Sequence, residues 1–360
     1  MRGNRFLKFL DRYLGIPIVW FLGLFKEKER FPGVLERIAI LKTAAIGDTV
    51  LLSAIIKDVF TFVPDAKVVL FVGSSNYEIA KLIAKQHVRL KVVKLTLKNP
   101  IEDIKIIRSL GKFDVFLDFD TWPRINSIYS FFANSSFKIG FETSGQCRHY
   151  VYDEIVKHDK SVHEISNYKN LLRVLGINGS NYPEILVPSV EKERDLVVVH
   201  MFPGGTKSYL KEWPEENWVE VINYLTKIGY RVVLTGAKPD KKKALMVYER
   251  CRRKNLVKVV AGELSLKEVA LLLKKSVLVL SVNTGIMHLA SALGCNLVAL
   301  HGPTSVKRWG PLNPNSISIQ SPLPCSPCLN LGFEYGCDEN KCMRAISVET
   351  VVNAVKKFLE

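Results

Sequence analysis

Apolar residues in this chain fall into short runs, and most runs are followed by a polar break and then by helical spacing. From the N-terminal side the pattern predicts a strand over Arg37–Lys42, a loop over Thr43–Thr49, and a helix over Val50–Phe60. It continues with strand Lys67–Val72, helix Tyr77–Lys85, strand Leu90–Leu95, helix Ile101–Leu110 and strand Phe113–Phe119. Alternation of this kind argues for βαβ units around a parallel sheet. Residues 180–194 are polar and proline-containing and read as a linker. The pattern then restarts: strand Asp195–His200, helix Pro214–Ile228, strand Arg231–Thr235, helix Lys241–Lys254 and strand Val257–Val260. Helix Leu266–Lys274 follows, with Ser265 and Glu268 spaced as a capping box. Strand Val277–Ser281, a helix over Ile286–Leu293, strand Asn296–His301 and a closing amphipathic helix, Val348–Leu359, complete the chain. A length of 360 residues is comfortable for two cores. The expectation is therefore an α/β protein of two doubly wound, Rossmann-like domains with a cleft between them, 36–180 and 195–345, with a C-terminal helix in 346–360.

Candidate chemistry sits where strands end. Val277–Ser281 runs into Asn283-Thr284-Gly285 and then directly into a helix, and Asn296–His301 runs into Gly302-Pro303-Thr304. A helix start offers unsatisfied N–H groups and the positive end of the dipole, which suits a phosphate. Ligands of open parallel sheets sit outside the carboxyl ends of the strands, so a nucleotide-linked substrate is expected there. His288 lies one turn beyond Thr284 and reaches the same side, unless it is a core histidine. Gly204-Gly205-Thr206 with Lys211 forms a second such group, although a loop lysine is ordinarily just solvated. The spacing G-x4-G-K-[S/T] is absent around Gly205–Ser208, which excludes a P-loop NTPase. Asp48 stands between a strand and a helix, the place of a proton-accepting carboxylate or of a helix N-cap. Asp118 and Asp120 alternate along a strand end, so both carboxylates share one face, and Arg124 follows, either as an anion contact or as a plain surface arginine.

Charge narrows the partners. The net charge is +16 with 48% hydrophobic and 24% charged residues, a globular balance that favours a polyanionic partner. Interleaving of aromatic and basic residues is not evident, so nucleic acid is not the expected partner. Lys241–Lys258 carries a basic group that reads as a solvated helix face. Residues 1–30 differ. Tyr13–Phe25 is an apolar run flanked by Arg2, Arg5, Lys8 and Arg12 on one side and Lys26, Lys28 and Arg30 on the other. It is shorter than the roughly 20 residues that a spanning helix needs, and no small-residue cleavage site follows it. The segment reads as an amphipathic anchor lying in an anionic membrane surface, or else as a helix packed on the protein's own surface. Nothing signals export, which points to a cytoplasmic protein attached peripherally to the inner face of the cytoplasmic membrane. Four of seven cysteines cluster as Cys325, Cys328, Cys337 and Cys342. That spacing fits a structural zinc, two disulfides, or free thiols.

Lys42-Thr-Ala-Ala-Ile-Gly-Asp48, Asp118 to Arg124, Ile139-Gly-Phe141 and His200-Met-Phe-Pro-Gly-Gly-Thr206 stand in that order along the chain. Lys211-Glu-Trp-Pro214, Asn283-Thr-Gly-Ile-Met-His288, Gly302-Pro-Thr304, Trp309-Gly-Pro311 and the Cys325/Cys328 pair follow. In order and spacing this set resembles glycosyltransferase family 9, which includes the ADP-heptose:lipopolysaccharide heptosyltransferases. The resemblance implies a GT-B fold and inverting transfer of a sugar, heptose from ADP-heptose, to a lipopolysaccharide core or related glycolipid, with no catalytic cofactor or metal. It places the base on Asp48. It places the donor diphosphate at Thr206, Lys211, Thr284, Gly285 and His288, where cations and N–H groups meet charge developing on the leaving group. Asn283 stands where the family usually carries Asp, and Lys238 or Asp240 stands where an acidic residue is common, so the donor-sugar pocket departs from the pattern. Asp120 and Arg124 fall on the acceptor side. The competing expectations are a GT-B nucleotide-sugar epimerase or hydrolase and a non-catalytic sugar-nucleotide-binding protein.

Overall fold

The structure, a computed structural model, describes residues 5–360, with side chains from residue 8 onward. The chain divides into two compact units, the first ending at Pro183 and the second spanning Glu184–Glu360. Residues 1–4 of the expected N-terminal anchor lie outside the described residues.

The first unit begins with α1 (Arg5–Tyr13) and α2 (Gly15–Leu24). It continues through β1 (Arg37–Lys42), α3 (Ile46–Phe62), β2 (Lys67–Val72), α4 (Tyr77–Ala84), β3 (Leu90–Lys94) and α5 (Pro100–Ser109). Then come β4 (Phe113–Asp118), α6 (Arg124–Phe132), β5 (Ser135–Glu142), β6 (Glu154–Lys157) and α7 (Glu164–Arg173). Its strands form a wholly parallel sheet in the order β3-β2-β1-β4-β5-β6. In β1, every residue from Ile38 to Lys42 is buried. A parallel strand is covered by helices on both faces, which is why it reads as a continuous apolar run rather than an alternation.

The second unit contains β7 (Glu193–His200), α8 (Glu215–Lys227), β8 (Arg231–Thr235), α9 (Lys241–Glu249), β9 (Val257–Val259) and α10 (Leu266–Lys275). It goes on with β10 (Ser276–Val282), α11 (Gly285–Ala292), β11 (Leu297–His301), α12 (Val306–Trp309), β12 (Ser316–Gln320), α13 (Lys341–Arg344) and α14 (Val348–Leu359). Its sheet, again wholly parallel, is ordered β12-β11-β10-β7-β8-β9. Val351 and Val355 of α14 share one core with Val199, Leu234 and Trp218, so the closing helix belongs to this unit. Trp213 and Trp218 meet edge to face there, 4.9 Å apart.

Both sheets repeat one winding. The chain moves outward over three strands, returns to the starting strand, and moves outward the other way. The reversal falls between β1 and β4 in the first unit and between β7 and β10 in the second. Diverging connections open a crevice at the carboxyl ends of such strand pairs.

Several boundaries differ from the sequence pattern, each for a local reason. The expected Thr43–Thr49 loop is shorter, because α3 starts at Ile46. Asp48 is the third residue of that helix, not its N-cap, and its carboxylate accepts the N–H of Ala45 at 3.3 Å. The helix expected over Lys241–Lys254 ends at Glu249. Asn223 accepts the N–H of Arg252 at 2.8 Å and diverts the backbone. The chain between 120 and 180 holds α6, β5, β6 and α7, and β12 lies at 316–320, five elements that the apolar periodicity does not mark.

Gly140 in β5 lets the Tyr152 ring lie on the strand. A Cβ there would stand 2.3 to 2.7 Å from three ring carbons. The same ring carries the hydroxyl that donates to Asp118 at 2.7 Å. Gly140→Ala is expected to destabilise the protein by about 1–3 kcal/mol, lowering the thermal unfolding midpoint. Gly204→Ala, where an added Cβ meets nothing within 4 Å, is expected to leave that midpoint unchanged.

Candidate active site

In the first unit, the crevice between β1 and β4 is lined by charge. Lys42, the last residue of β1, is 2% exposed. Its Nζ lies 2.9 Å from Asp120 Oδ1 and 3.7 Å from Asp48 Oδ1. It also donates to the Phe119 carbonyl at 3.1 Å and stands 5.4 Å over the Tyr168 ring. Asp48 is held from three directions: by Lys42, by the Ala45 N–H, and by the Tyr168 hydroxyl, which donates to Oδ1 at 3.3 Å. It also lies at the positive end of α3. A carboxylate so fixed at a strand's carboxyl end is arranged to accept a proton from a hydroxyl brought to the crevice.

The other candidates in this unit are placed differently. Asp118 and Asp120 do not present an open carboxylate pair. Asp118 is fully buried against Arg148 and Tyr152, and burial raises its pKa while Arg148 opposes the shift. Asp120 accepts from the Thr43 N–H at 2.7 Å and the Thr43 hydroxyl at 2.9 Å, as well as from Asn126. Asp120 thus lies in the crevice as the partner of Lys42. Arg124 is the first residue of α6. Both sequence expectations for it, acceptor contact and surface arginine, assumed an exposed guanidinium. It is instead 4% exposed, paired with Asp11 at 2.9 Å and donating to the Gln146 carbonyl at 2.9 Å. Packing of the N-terminal helices encloses it. The sequence reading gave Lys42 and Tyr168 no role. A lysine closing an apolar strand was the available signal for the first, and nothing local marked the second.

In the second unit, the crevice between β7 and β10 gathers Gly/Thr loops. Thr284 caps α11, its hydroxyl accepting the Ile286 N–H at 2.9 Å. Gly285 opens the helix, whose first-turn N–H groups have no acceptor within it. Asn283 donates to the Trp309 carbonyl at 3.3 Å. His288 is 6% exposed on α11. It neighbours His301, the last residue of β11, whose pKa is pushed down to about 3 by burial and then by His288. His301 Nδ1 pairs with the Thr304 hydroxyl at 3.2 Å, and Nε2 is buried with no partner among the described residues. His200 closes β7 beside Thr235, and burial lowers its pKa to about 4. Two strands therefore end in neutral imidazoles, each marked in the sequence by a histidine that closes an apolar run. Lys238 is exposed on a short turn after β8. Asp240 caps that turn by accepting the Ala237 N–H at 2.7 Å, and burial raises its pKa.

The loop carrying Thr206 and Lys211 is braced from outside. Lys211 donates to the Gly204 carbonyl at 2.9 Å. The Tyr335 hydroxyl donates to the Thr206 carbonyl at 3.0 Å, and Lys207 pairs with Asp338. Asn340 donates to the carbonyls of Tyr209 and Glu212 at 2.9 and 2.7 Å. The cysteine-bearing segment is thus a clamp on this loop. Its four thiols are free. Cys325 and Cys337 are exposed, whereas Cys342 is buried and its pKa is pushed up to about 11 by burial. Among the described residues no group of three or more His, Cys, Asp or Glu is placed to hold a metal ion. The thiols nonetheless lie near one another: Cys328 shares a hydrogen bond with Cys337, and Cys325 and Cys342 stand within electrostatic reach of that pair.

Comparison with known proteins agrees with this layout. The family model described as glycosyltransferase family 9 (heptosyltransferase) matches residues 104–337, more than half of the chain. Lipopolysaccharide heptosyltransferase 1 of Salmonella typhimurium is 34% identical over 126 residues, covering 34% of this chain and 36% of that protein. The chain thus matches about a third of the length of such curated relatives. The structure of E. coli ADP-heptose lps heptosyltransferase II superposes with a TM-score of 0.71 at 18% identity, over 90% of this chain and 98% of that one. E. coli heptosyltransferase WaaC with ADP gives 0.70 at 20% identity, over 89% and 99%. These likenesses show the fold, the GT-B class of paired Rossmann-like units. By its motifs, its winding and this family match, the chain belongs to glycosyltransferase family 9.

Proposed function

We propose that this protein is an inverting glycosyltransferase that moves a sugar, heptose from ADP-heptose, onto a lipopolysaccharide core or a related glycolipid. It works in the cytoplasm, attached peripherally to the inner face of the cytoplasmic membrane. The observation that carries this reading is the carboxylate of Asp48, fixed by Lys42, Tyr168 and the Ala45 N–H at the crevice of the first unit. Family membership and the heptosyltransferases that the chain resembles support the donor and the acceptor class.

Asp48 takes the proton of the acceptor hydroxyl as that oxygen attacks the anomeric carbon. The bond from that carbon to the diphosphate oxygen breaks on the opposite face, so configuration inverts and ADP leaves. Negative charge grows on the departing phosphate. Thr206, Lys211 and the opening turn of α11 at Thr284 and Gly285 meet it with a cation, hydroxyls and N–H groups, preorganised before the reaction. His288 borders the same turn. This distribution of donors supplies the stabilisation of the leaving group from the chain itself, with no metal assigned to the step. Asn283, Lys238 and Asp240 border the donor sugar. Asn283 brings an amide where the family usually carries a carboxylate, which favours sugars offering an acceptor as well as a donor at that position.

Asp48→Asn keeps the shape and removes the base. The expected outcome is a fall in kcat of about 10²–10⁴-fold, with ADP affinity by calorimetry unchanged; matched losses of both would overturn the assignment. Asn340→Ala removes the brace on the carbonyls of Tyr209 and Glu212. It is expected to weaken ADP binding about five- to tenfold, near 1 kcal/mol, with little effect on the thermal midpoint. Calorimetry with ADP-, GDP- and UDP-sugars tests the base identity, and a preference for a nucleotide other than ADP would redirect the donor assignment.

A further inference from the structure

Helices α1 and α2 carry a surface that the transfer chemistry does not use. Tyr13, Ile18, Trp20, Phe21, Leu24 and Phe25 are each 44% to 65% exposed. No charged residue interrupts Tyr13–Phe25. The opposite side of α2 is fixed to the first unit. Val19 is fully buried with Val151 and Tyr152. Gly15 and Gly23 let the helix approach so closely that an added Cβ would stand 2.9 Å from Arg124 Cβ and 2.6 Å from Tyr150 Cβ.

Two ion pairs clamp the ends of this helix. Asp11, just before it, pairs with Arg124 and accepts that residue's N–H at 2.8 Å. Lys26, just after it, pairs with Asp153, whose carboxylate also accepts the N–H of Glu29 at 2.7 Å and of Lys138 at 2.8 Å. The helix is therefore held by its inner glycines, by Val19 and by its ends. That attachment leaves the outward aromatic and aliphatic side chains largely exposed. A helix that merely covered its own domain would turn these residues inward.

We propose that this outward face of α1 and α2 is a docking surface that seats in the interfacial layer of an anionic lipid bilayer. This deepens the reading of a lipid-borne acceptor and rests on it. Trp and Tyr with Phe, Leu and Ile suit the boundary between headgroups and acyl chains. At ten residues, α2 is about 15 Å long, half the roughly 30 Å of a hydrocarbon core. No helix among the described residues is long and apolar enough to cross a membrane. The face thus lies in the surface plane. Charge selects the lipid. Arg2, Arg5, Lys8 and Arg12 precede the apolar run, and the one acidic residue among them, Asp11, is neutralised by Arg124. Lys28 and Arg30 are balanced by Glu27 and Glu29 on the other side. The excess of cations on the N-terminal flank favours phosphatidylglycerol-type headgroups over neutral ones.

The test uses the full-length chain and vesicles that contain no acceptor, so failure of docking is read separately from failure of transfer. Wild type is expected to sediment with vesicles of phosphatidylglycerol and phosphatidylcholine. Binding should fall severalfold with phosphatidylcholine alone, or on raising salt from about 0.1 to 0.5 M. A variant combining Trp20→Glu, Phe21→Glu and Leu24→Glu should lose at least tenfold in vesicle affinity. Its ADP affinity and thermal midpoint should match wild type, which shows that it is folded. Arg12→Gln should reduce the preference for the anionic vesicles and leave a weaker, salt-insensitive binding. Wild type remaining in the supernatant with anionic vesicles would overturn the proposal, as would a triple variant that sediments equally well. So would a wild-type dimer that the three substitutions dissociate without any vesicle binding, since the face would then seat a second copy of the chain.

Discussion

The first unit is organised around one buried cation. Lys42 Nζ is removed from water at the end of β1, where an isolated ammonium would cost several kcal/mol in lost hydration. Two carboxylates and a carbonyl offset that cost, and each comes from a different part of the fold. Asp120 follows β4, Asp48 lies in α3, and the Phe119 carbonyl closes the β4 connection. The ammonium therefore ties together both sides of the point where the sheet reverses its winding. Asp120 in turn holds the Thr43 backbone that leads into α3. Taking away one carboxylate leaves a buried charge partly unmatched, an effect of about 3–5 kcal/mol where the pair is fully enclosed. Asp48 is 6% exposed, so it retains a small opening to the crevice while it helps to neutralise Lys42. The group assigned to proton transfer is thus also part of what holds the strand ends together. An isosteric amide keeps the shape and an acceptor oxygen for Lys42 and Tyr168 but removes this charge as alanine does, so the thermal midpoint of Asp48→Asn has to be read beside its kcat.

The second unit meets a different electrostatic problem. On the proposed mechanism it receives an anion rather than neutralising a cation. Its crevice is built from helix starts, glycines and hydroxyls, with imidazoles that burial keeps neutral. Neutral histidines neither repel a lysine nor attract a counter-ion, so Lys211 and the opening turn of α11 remain the positive features of the edge. The clamp from Tyr335, Asp338 and Asn340 fits the same logic. A loop rich in glycine is entropically costly to order, and three side chains from one neighbouring segment hold it in place before any ligand arrives.

What the sequence made legible follows from which interactions are local. Strands β1, β2, β8 and α14 were readable to the residue, because a run buried on both faces or an amphipathic stripe carries its own signal. The Ser265–Glu268 capping box was readable because capping is a matter of two residues. Lys42, Tyr168, Arg124 and Arg148 were not. Each is a polar residue that becomes internal only when partners distant in sequence fold over it: Asp120 for Lys42, Asp11 for Arg124, Asp118 for Arg148. A single-residue reading assigns such side chains to solvent or to ligand. The cysteine spacing is a local signal too, and the thiols it groups do interact, Cys328 with Cys337 through a hydrogen bond and Cys342 with both through charge. The segment that carries them also braces the 204–212 loop.

The same economy of buried pairs explains why the N-terminal helices leave their apolar side outward. Arg124 begins α6, directly after the β4 connection that holds Asp118 and Asp120. Its partner Asp11 closes α1, so the N-terminal helices are joined by a buried ion pair to the element that follows the crevice of the first unit. At the far end of α2, Asp153 gathers Lys26 and two backbone N–H groups next to β6. These attachments are polar and directional, unlike an apolar contact, which tolerates sliding and rotation. They fix the roll of α2 as well as its position, and so fix which residues point away. A surface held in that manner transmits its orientation to the unit that carries it. When Trp20, Phe21 and Leu24 lie in a lipid interface, the β1–β4 crevice takes a defined attitude to the same interface, which a flexible tether of equal hydrophobicity would not impose.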